Sequence, residues 1–204
     1  METVFIILIL LMSVVIHEVS HGYAALWLGD PTAKYEGRLT LNPFSHLDPV
    51  GSVLVPLIGF FAGGIIIGWA KPVPFNPYNL RNQRWGEAMV AVAGPISNII
   101  IAIIFSLIIR VAFGSGALSE QFFFLAGYLV FINIVLALFN LIPIPPLDGS
   151  KILFAILPNS MKGLRRAIES YGLILVFLFV FLMWGFLAPV AQAVFKLLVG
   201  TSFF

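Results

Sequence analysis

The sequence predicts an all-α polytopic membrane protein of about four to six transmembrane or re-entrant helices, with a small β element near the cytoplasmic face. Three observations predict it. Of the 204 residues, 60% are hydrophobic and 10% are charged, whereas soluble chains run near about 45–50% apolar and about 25% charged. The apolar residues gather into runs long enough to cross a hydrocarbon core of roughly 30 Å, which takes about 20 residues of helix. Between the runs lies nearly all of the charge. A net charge of +2 carried by loops gives no footing for nucleic acid, and the absence of cysteine rules out disulfides and thiolate metal ligands. With no internal repeat and no soluble segment, residues 1–204 read as one domain in a lipid bilayer.

The elements follow in order. The first run, 3–28, ends at Gly29-Asp30-Pro31, a glycine–proline break. It has no basic leader and no small-residue cleavage site, so it reads as a retained helix rather than a signal peptide. Residues 31–49 are polar, and the alternation of Tyr35, Gly37, Leu39 and Leu41 predicts a strand over 34–41. The second run, 50–69, is interrupted by Pro56, Gly59, Gly63, Gly64 and Gly68, which suits a re-entrant hairpin. After it, Lys71-Pro72-Val73-Pro74 must be extended, because each residue before a proline is pushed out of the α region. A third run, 88–111, follows Arg81, Arg84 and Glu87. The fourth, 122–142, stops at Pro143. A short amphipathic helix over 148–157 leads into the charged stretch 162–169, and the last run, 171–198, carries Pro189.

If 50–69 dips in and returns, the loops at 30–49, 71–87 and 143–170 share one side. That side then holds Lys34, Arg38, Lys71, Arg81, Arg84, Lys151, Lys162, Arg165 and Arg166, leaving Arg110 and Lys196 opposite. If 50–69 spans fully, 71–87 and 143–170 instead lie opposite 30–49; the asymmetry, which is that of a cytoplasmic face, favours the re-entrant form with the N-terminus outside.

His17-Glu18-Val19-Ser20-His21 falls inside the first run. Residues four apart share a helix face, so both imidazoles can reach one zinc ion. Glu18, about 100° around the helix, is placed to take a proton from water. The motif should arise by chance in well under about 1% of chains of this size. Ionisable side chains at a membrane-helix centre also cost about 2.5–3.5 kcal/mol each on insertion scales, so three in five positions need a reason. A structural zinc would not need Glu18. A hydrolytic zinc takes a third protein ligand, and the candidates are His46, Asp30, Asp48 and Asp148. Asp148, before Gly149-Ser150-Lys151, is equally an ordinary helix N-cap.

His17-Glu18-x-x-His21, Ala93-Gly94-Pro95-Ile96-Ser97-Asn98 and Asn140-x-x-Pro143-x-Pro145-x-x-Asp148-Gly149 lie in that order on three apolar segments. Together they resemble the site-2 protease family of intramembrane zinc metalloproteases, over about residues 10–155, in a short form without a PDZ or CBS domain. The resemblance implies one Zn2+ per chain held by His17, His21 and Asp148, with Glu18 as general base. It implies that Asn140 holds the substrate or its oxyanion, and that Asn98 is a conformational or substrate-side polar residue. It further implies an endopeptidase acting on transmembrane protein or peptide substrates, in a prokaryotic cytoplasmic membrane.

Other readings are set beside this one. A membrane metal-binding or transport protein would use the same histidines, but it predicts several metal sites along a path. A zinc-stabilised scaffold predicts that Glu18 is dispensable. Asn133 matches no motif and reads as a polar bridge between helices. His46 and Asp48 read as a loop turn held by local hydrogen bonds. Segments 34–41 and 68–75 are the candidate edge strands for pairing with an unwound substrate.

Overall fold

The computed structural model describes residues 2–55, 57–58, 69–116 and 119–203. The fold is carried by helices α1 (Glu2–Trp27), α2 (Thr32–Tyr35), α3 (Gly86–Gly114), α4 (Glu120–Asn140), α5 (Asp148–Ile156) and α6 (Lys162–Val199). Among the described residues, four apolar stretches are long enough to cross a membrane: α1, α3, α4 and residues Gly163–Met183 of α6. The chain is therefore a multi-pass membrane protein, as its composition predicts.

Helix α3 is the centre of the bundle, packing against α1, α4, α5 and α6. Hydrocarbon gives helices no hydrophobic reason to associate, so small residues at the contacts let backbones approach and gain van der Waals packing. Ala102, Ala126 and Ala191 do this, with Ile109, Val130, Ile134, Phe195 and Val199 filling the spaces between them. The first part of α6 stands off the bundle, with Leu173, Ile174, Phe177 and Phe181 exposed. Lipid covers such a surface at no cost. Apart from Gly172, which is buried against the Pro145 carbonyl, the helix joins the core through its second half, at Leu187, Ala191, Phe195 and Val199.

The segment between α1 and α3 is tied back on itself. Trp69 N–H donates to the Gly51 carbonyl (3.1 Å) and Lys71 N–H to the His46 carbonyl (2.9 Å). The Ser52 hydroxyl donates to the Trp69 carbonyl (2.8 Å). The chain thus leaves and rejoins this loop region at one place, and the loops before and after lie on the same side. The path between, including the predicted re-entrant turn at Pro56 and Gly59–Gly68, lies largely outside the described residues. At the opposite end of the bundle, the Arg110 guanidinium donates to the Leu197 carbonyl (2.7 Å), so α3 and α6 finish together.

The small β element is not found: among the described residues there is no strand. Residues 32–35 close into α2, and Gly37 turns the chain with φ +65°, breaking the alternation that predicted a strand. Gly68 lies outside the described residues, and 69–76 is extended but unpaired as a ladder. The reason is in the sequence. Pro72, Pro74 and Pro77 have no N–H, so a continuous ladder cannot form along them.

Asp30 anchors this face. Fully buried, its carboxylate accepts from Thr32 N–H (3.2 Å), the Thr32 hydroxyl (2.6 Å), Asn76 N–H (2.6 Å) and the Asn79 amide (2.8 Å). Burial pushes its pKa up, but these donors outweigh burial and hold the carboxyl below its ordinary value of 3.8. A depressed folded pKa means that the stabilisation is fully present above the unfolded value and is lost as pH falls through the folded one. Asp30→Asn is expected to cost about 1–3 kcal/mol at pH 7. Thermal unfolding in detergent should show the gap from wild type closing only below pH 3.8.

Candidate metal centre

His17 and His21 sit on α1 ten and six residues before its end at Trp27, which places His17 about 15 Å along the axis from that end. Both are buried, at 6% and 9% exposure. Asp148 opens α5. The turn after α4 doubles back so closely that a Cβ at Gly149 would clash with the Leu141 and Ile142 carbonyls. Only glycine fits there, and the fit brings the neighbouring carboxylate under α1. His17 Nε2 then lies 3.1 Å and His21 Nε2 3.3 Å from Asp148 Oδ2. Among the described residues this is the group of three metal-ligating side chains whose ligand atoms fall within 4.8 Å of one another.

The hydrogen bonds behind the histidines say what the cluster is for. His17 Nδ1 is 2.6 Å from Asn98 Oδ1, and His21 Nδ1 is 2.8 Å from the Val90 carbonyl. With both rings neutral, as metal ligands are, each Nδ1 is the N–H that donates to its oxygen. Both Nε2 atoms therefore present lone pairs, and Asp148 Oδ2 is a buried oxygen with no hydrogen-bond donor. Three lone pairs meeting with no proton between them repel unless a cation sits among them. Two imidazoles and one carboxylate, each imidazole oriented from behind, form a donor set suited to a hydrolytic zinc with an open fourth position.

Space for an ion comes from α3. A Cβ at Gly94 would stand 2.5 Å from His17 Cε1 and 2.5 Å from His21 Nε2, so only glycine leaves that side clear. Asn98, one turn further, is held in turn. Its amide donates to Asn133 Oδ1 (2.7 Å), and the Asn133 amide donates to Ser13 Oγ (2.9 Å) and the Leu129 carbonyl (2.8 Å). All three polar residues of this relay are buried. Asn133 is thus the bridge between helices that its lack of a motif suggested, and it also supports the residue that orients His17.

Glu18 lies beside the cluster, and its Oε2 accepts the Val73 N–H at 2.9 Å. Asn140 ends α4, and its amide donates to the Leu136 carbonyl (3.0 Å). His46 and Asp48 stay in the loop: His46 Nε2 meets the Thr40 carbonyl (2.8 Å), and Asp48 caps the turn at Val50 and Gly51. Neither joins the three-residue group, and nor does Asp30. Sequence reading did not find the Val90 carbonyl or the Val73 N–H, because a backbone group has no signature of its own. Gly94 was visible only as part of a motif, and Asn98 was expected as a conformational or substrate-side polar residue, not as the acceptor behind His17.

Residues 108–183 match the family described as Peptidase family M50. Over 185 residues the chain is 40% identical to "Putative zinc metalloprotease YwhC" of Bacillus subtilis, covering 87% of this chain and 80% of that protein. It is 32% identical over 176 residues to "Putative zinc metalloprotease Rip2" of Mycolicibacterium smegmatis, covering 85% and 66%. A shorter stretch of 64 residues is 39% identical to "Putative zinc metalloprotease MJ0611" of Methanocaldococcus jannaschii, 31% of each chain. No solved structure matches the chain.

Proposed function

The chain belongs to peptidase family M50, and from that premise we propose that it is an intramembrane zinc endopeptidase using Glu18 as general base. Its class is that of a zinc metalloprotease built as a multi-pass membrane protein. What supports the finer reading is one observation: two imidazole lone pairs and an undonated carboxylate oxygen converge beside a second carboxylate, Glu18, on a membrane-length helix.

His17, His21 and Asp148 would hold the ion. Bound zinc supplies Lewis acidity, polarising the scissile carbonyl and easing deprotonation of water. With Oε2 fixed by Val73 N–H, Glu18 takes the proton of the attacking water on Oε1 as the new C–O bond forms. It then returns that proton to the leaving nitrogen as the C–N bond breaks. Asn140 Nδ2 carries two hydrogens and spends one on Leu136, leaving the other for a substrate carbonyl. A helical substrate hides its peptide bonds, so it must unwind to react. Transmembrane segments of other membrane proteins are the substrate class, and the basic face marks the cytoplasmic side of a prokaryotic membrane. A transport path would need a series of metal sites, whereas among the described residues a single such group converges.

The test uses the protein in lipid vesicles with a tagged single-span reporter carrying a helix-breaking Gly-Pro pair in its span. A chelator is expected to stop cleavage and added zinc to restore it. Cleavage that continues after the metal has been stripped would sink the reading.

A further inference from the structure

Glu18 is gripped by a backbone that is itself gripped. Along 71–77 the prolines at 72, 74 and 77 donate nothing, Lys71 N–H is engaged by His46, and Asn76 N–H by Asp30. Val73 N–H is the donor that reaches Glu18 Oε2. It belongs to the same peptide group as the Pro72 carbonyl, and that carbonyl accepts from Arg38 Nη2 at 3.3 Å, beside the Lys71 carbonyl at 2.9 Å. One peptide group therefore stands between a guanidinium on its oxygen and a carboxylate on its N–H. Hydrogen bonds in such a series polarise one another and strengthen in a low-dielectric setting.

Two further observations separate this from ordinary loop bracing. Arg38 is only 6% exposed, its Nε is buried without a partner, and among the described residues it makes no ion pair. A neutral amide could tie two carbonyls as well, without the cost of a buried cation. The second observation is Gly22, one turn after Glu18 on the same face of α1. A Cβ there would lie 2.5 Å from Leu39 Cδ2 and 2.9 Å from Val73 Cγ1. Glycine at 22 lets Val73 come down onto the helix, and Arg38 holds it there.

We infer that Arg38 is a positioning residue for Glu18, acting through the Pro72–Val73 peptide seated on Gly22. The inference rests on the proteolytic reading of the site. It assigns the buried charge a purpose: to fix the general base through a peptide group rather than by direct pairing, which would occupy the oxygen that must move a proton.

The experiment measures kcat and KM on a quenched peptide with an apolar 20-residue core and a central Gly-Pro, with zinc per chain and thermal midpoint measured alongside. Arg38→Gln is expected to lower kcat by about 10- to 100-fold, the scale of a small misplacement of a catalytic group, with KM and zinc content unchanged. Arg38→Lys should recover much of the loss, because it returns the charge. Gly22→Ala should lower kcat in the same way, and it carries the test alone if Arg38→Gln does not fold. The double variant should be little worse than the weaker single, since both act through one contact. Wild-type kcat in Arg38→Gln, a loss confined to KM or zinc, or no recovery in Arg38→Lys would overturn the inference. Glu18→Gln is run beside them. If that variant cleaves like wild type, Glu18 is not the base and this inference falls alone; if wild type does not cleave, the proteolytic reading fails and this inference with it.

Discussion

Zinc content is expected to fall from about one ion per chain to nearly none when Asp148 is replaced by alanine. Asp148 supplies the anionic donor of the three, and its Oδ2 lies within 3.3 Å of both imidazole nitrogens. Without it, two neutral imidazoles from one helix would remain, a set below the three protein ligands of a hydrolytic zinc site. The substitution also removes the charge that offsets a divalent cation in a buried place, where uncompensated charge is costly. Fold loss is a weak competing explanation, because the turn that presents Asp148 is set by Gly149 and by α5, which the alanine keeps. Elemental analysis of detergent-purified wild type and Asp148→Ala, side by side, decides it. Unchanged zinc in the variant would remove Asp148 from the ligand set, and a wild type without zinc would remove the metal centre itself.

Peptide cleavage is expected to drop about 10²–10⁴-fold in Glu18→Gln, the range that proton transfer by a positioned side chain contributes, while zinc stays at about one per chain. The two side chains have nearly the same shape. A glutamine oxygen can still accept the Val73 N–H, so the loop stays seated, but an amide cannot take up a proton at neutral pH. Glu18 is not one of the three converging donors, so the metal should be retained. Loss of zinc together with activity would place Glu18 among the ligands. Full activity would remove Glu18 as the general base.

Much of the fold was legible because lipid imposes a simple rule: apolar runs of sufficient length become spanning helices. The α1, α3 and α4 runs were recognised from hydropathy and their glycine and proline ends. The failures occurred where tertiary context replaced pattern. The alternation from Tyr35 to Leu41 resembles a strand, yet residues 32–35 coil, Gly37 turns the chain, and Arg38 spends its side chain on the carbonyls that a partner strand would have used. At the site, His17 and His21 are readable because a helix repeats every 3.6 residues. Asp148 is not readable from spacing, since a helical pattern says nothing about a carboxylate on a distant turn; resemblance was needed to single it out from Asp30, Asp48 and His46. Asp30 is a loop anchor, which its place in Gly29-Asp30-Pro31 could have hinted at.

The relay behind His17 runs in one direction. His17 donates to Asn98, Asn98 to Asn133, and Asn133 to Ser13, which lies one turn before His17 on the same helix. The circuit leaves α1, passes through α3 and α4, and closes on α1. The tautomer of a single histidine is thus dictated by the registry of three separate helices. Helices that have entered the bilayer but not yet found each other carry the His-Glu-x-x-His letters without the lone pair aimed at a metal. Readiness for the ion and completion of the bundle are one event, and each should register in any measurement of the other.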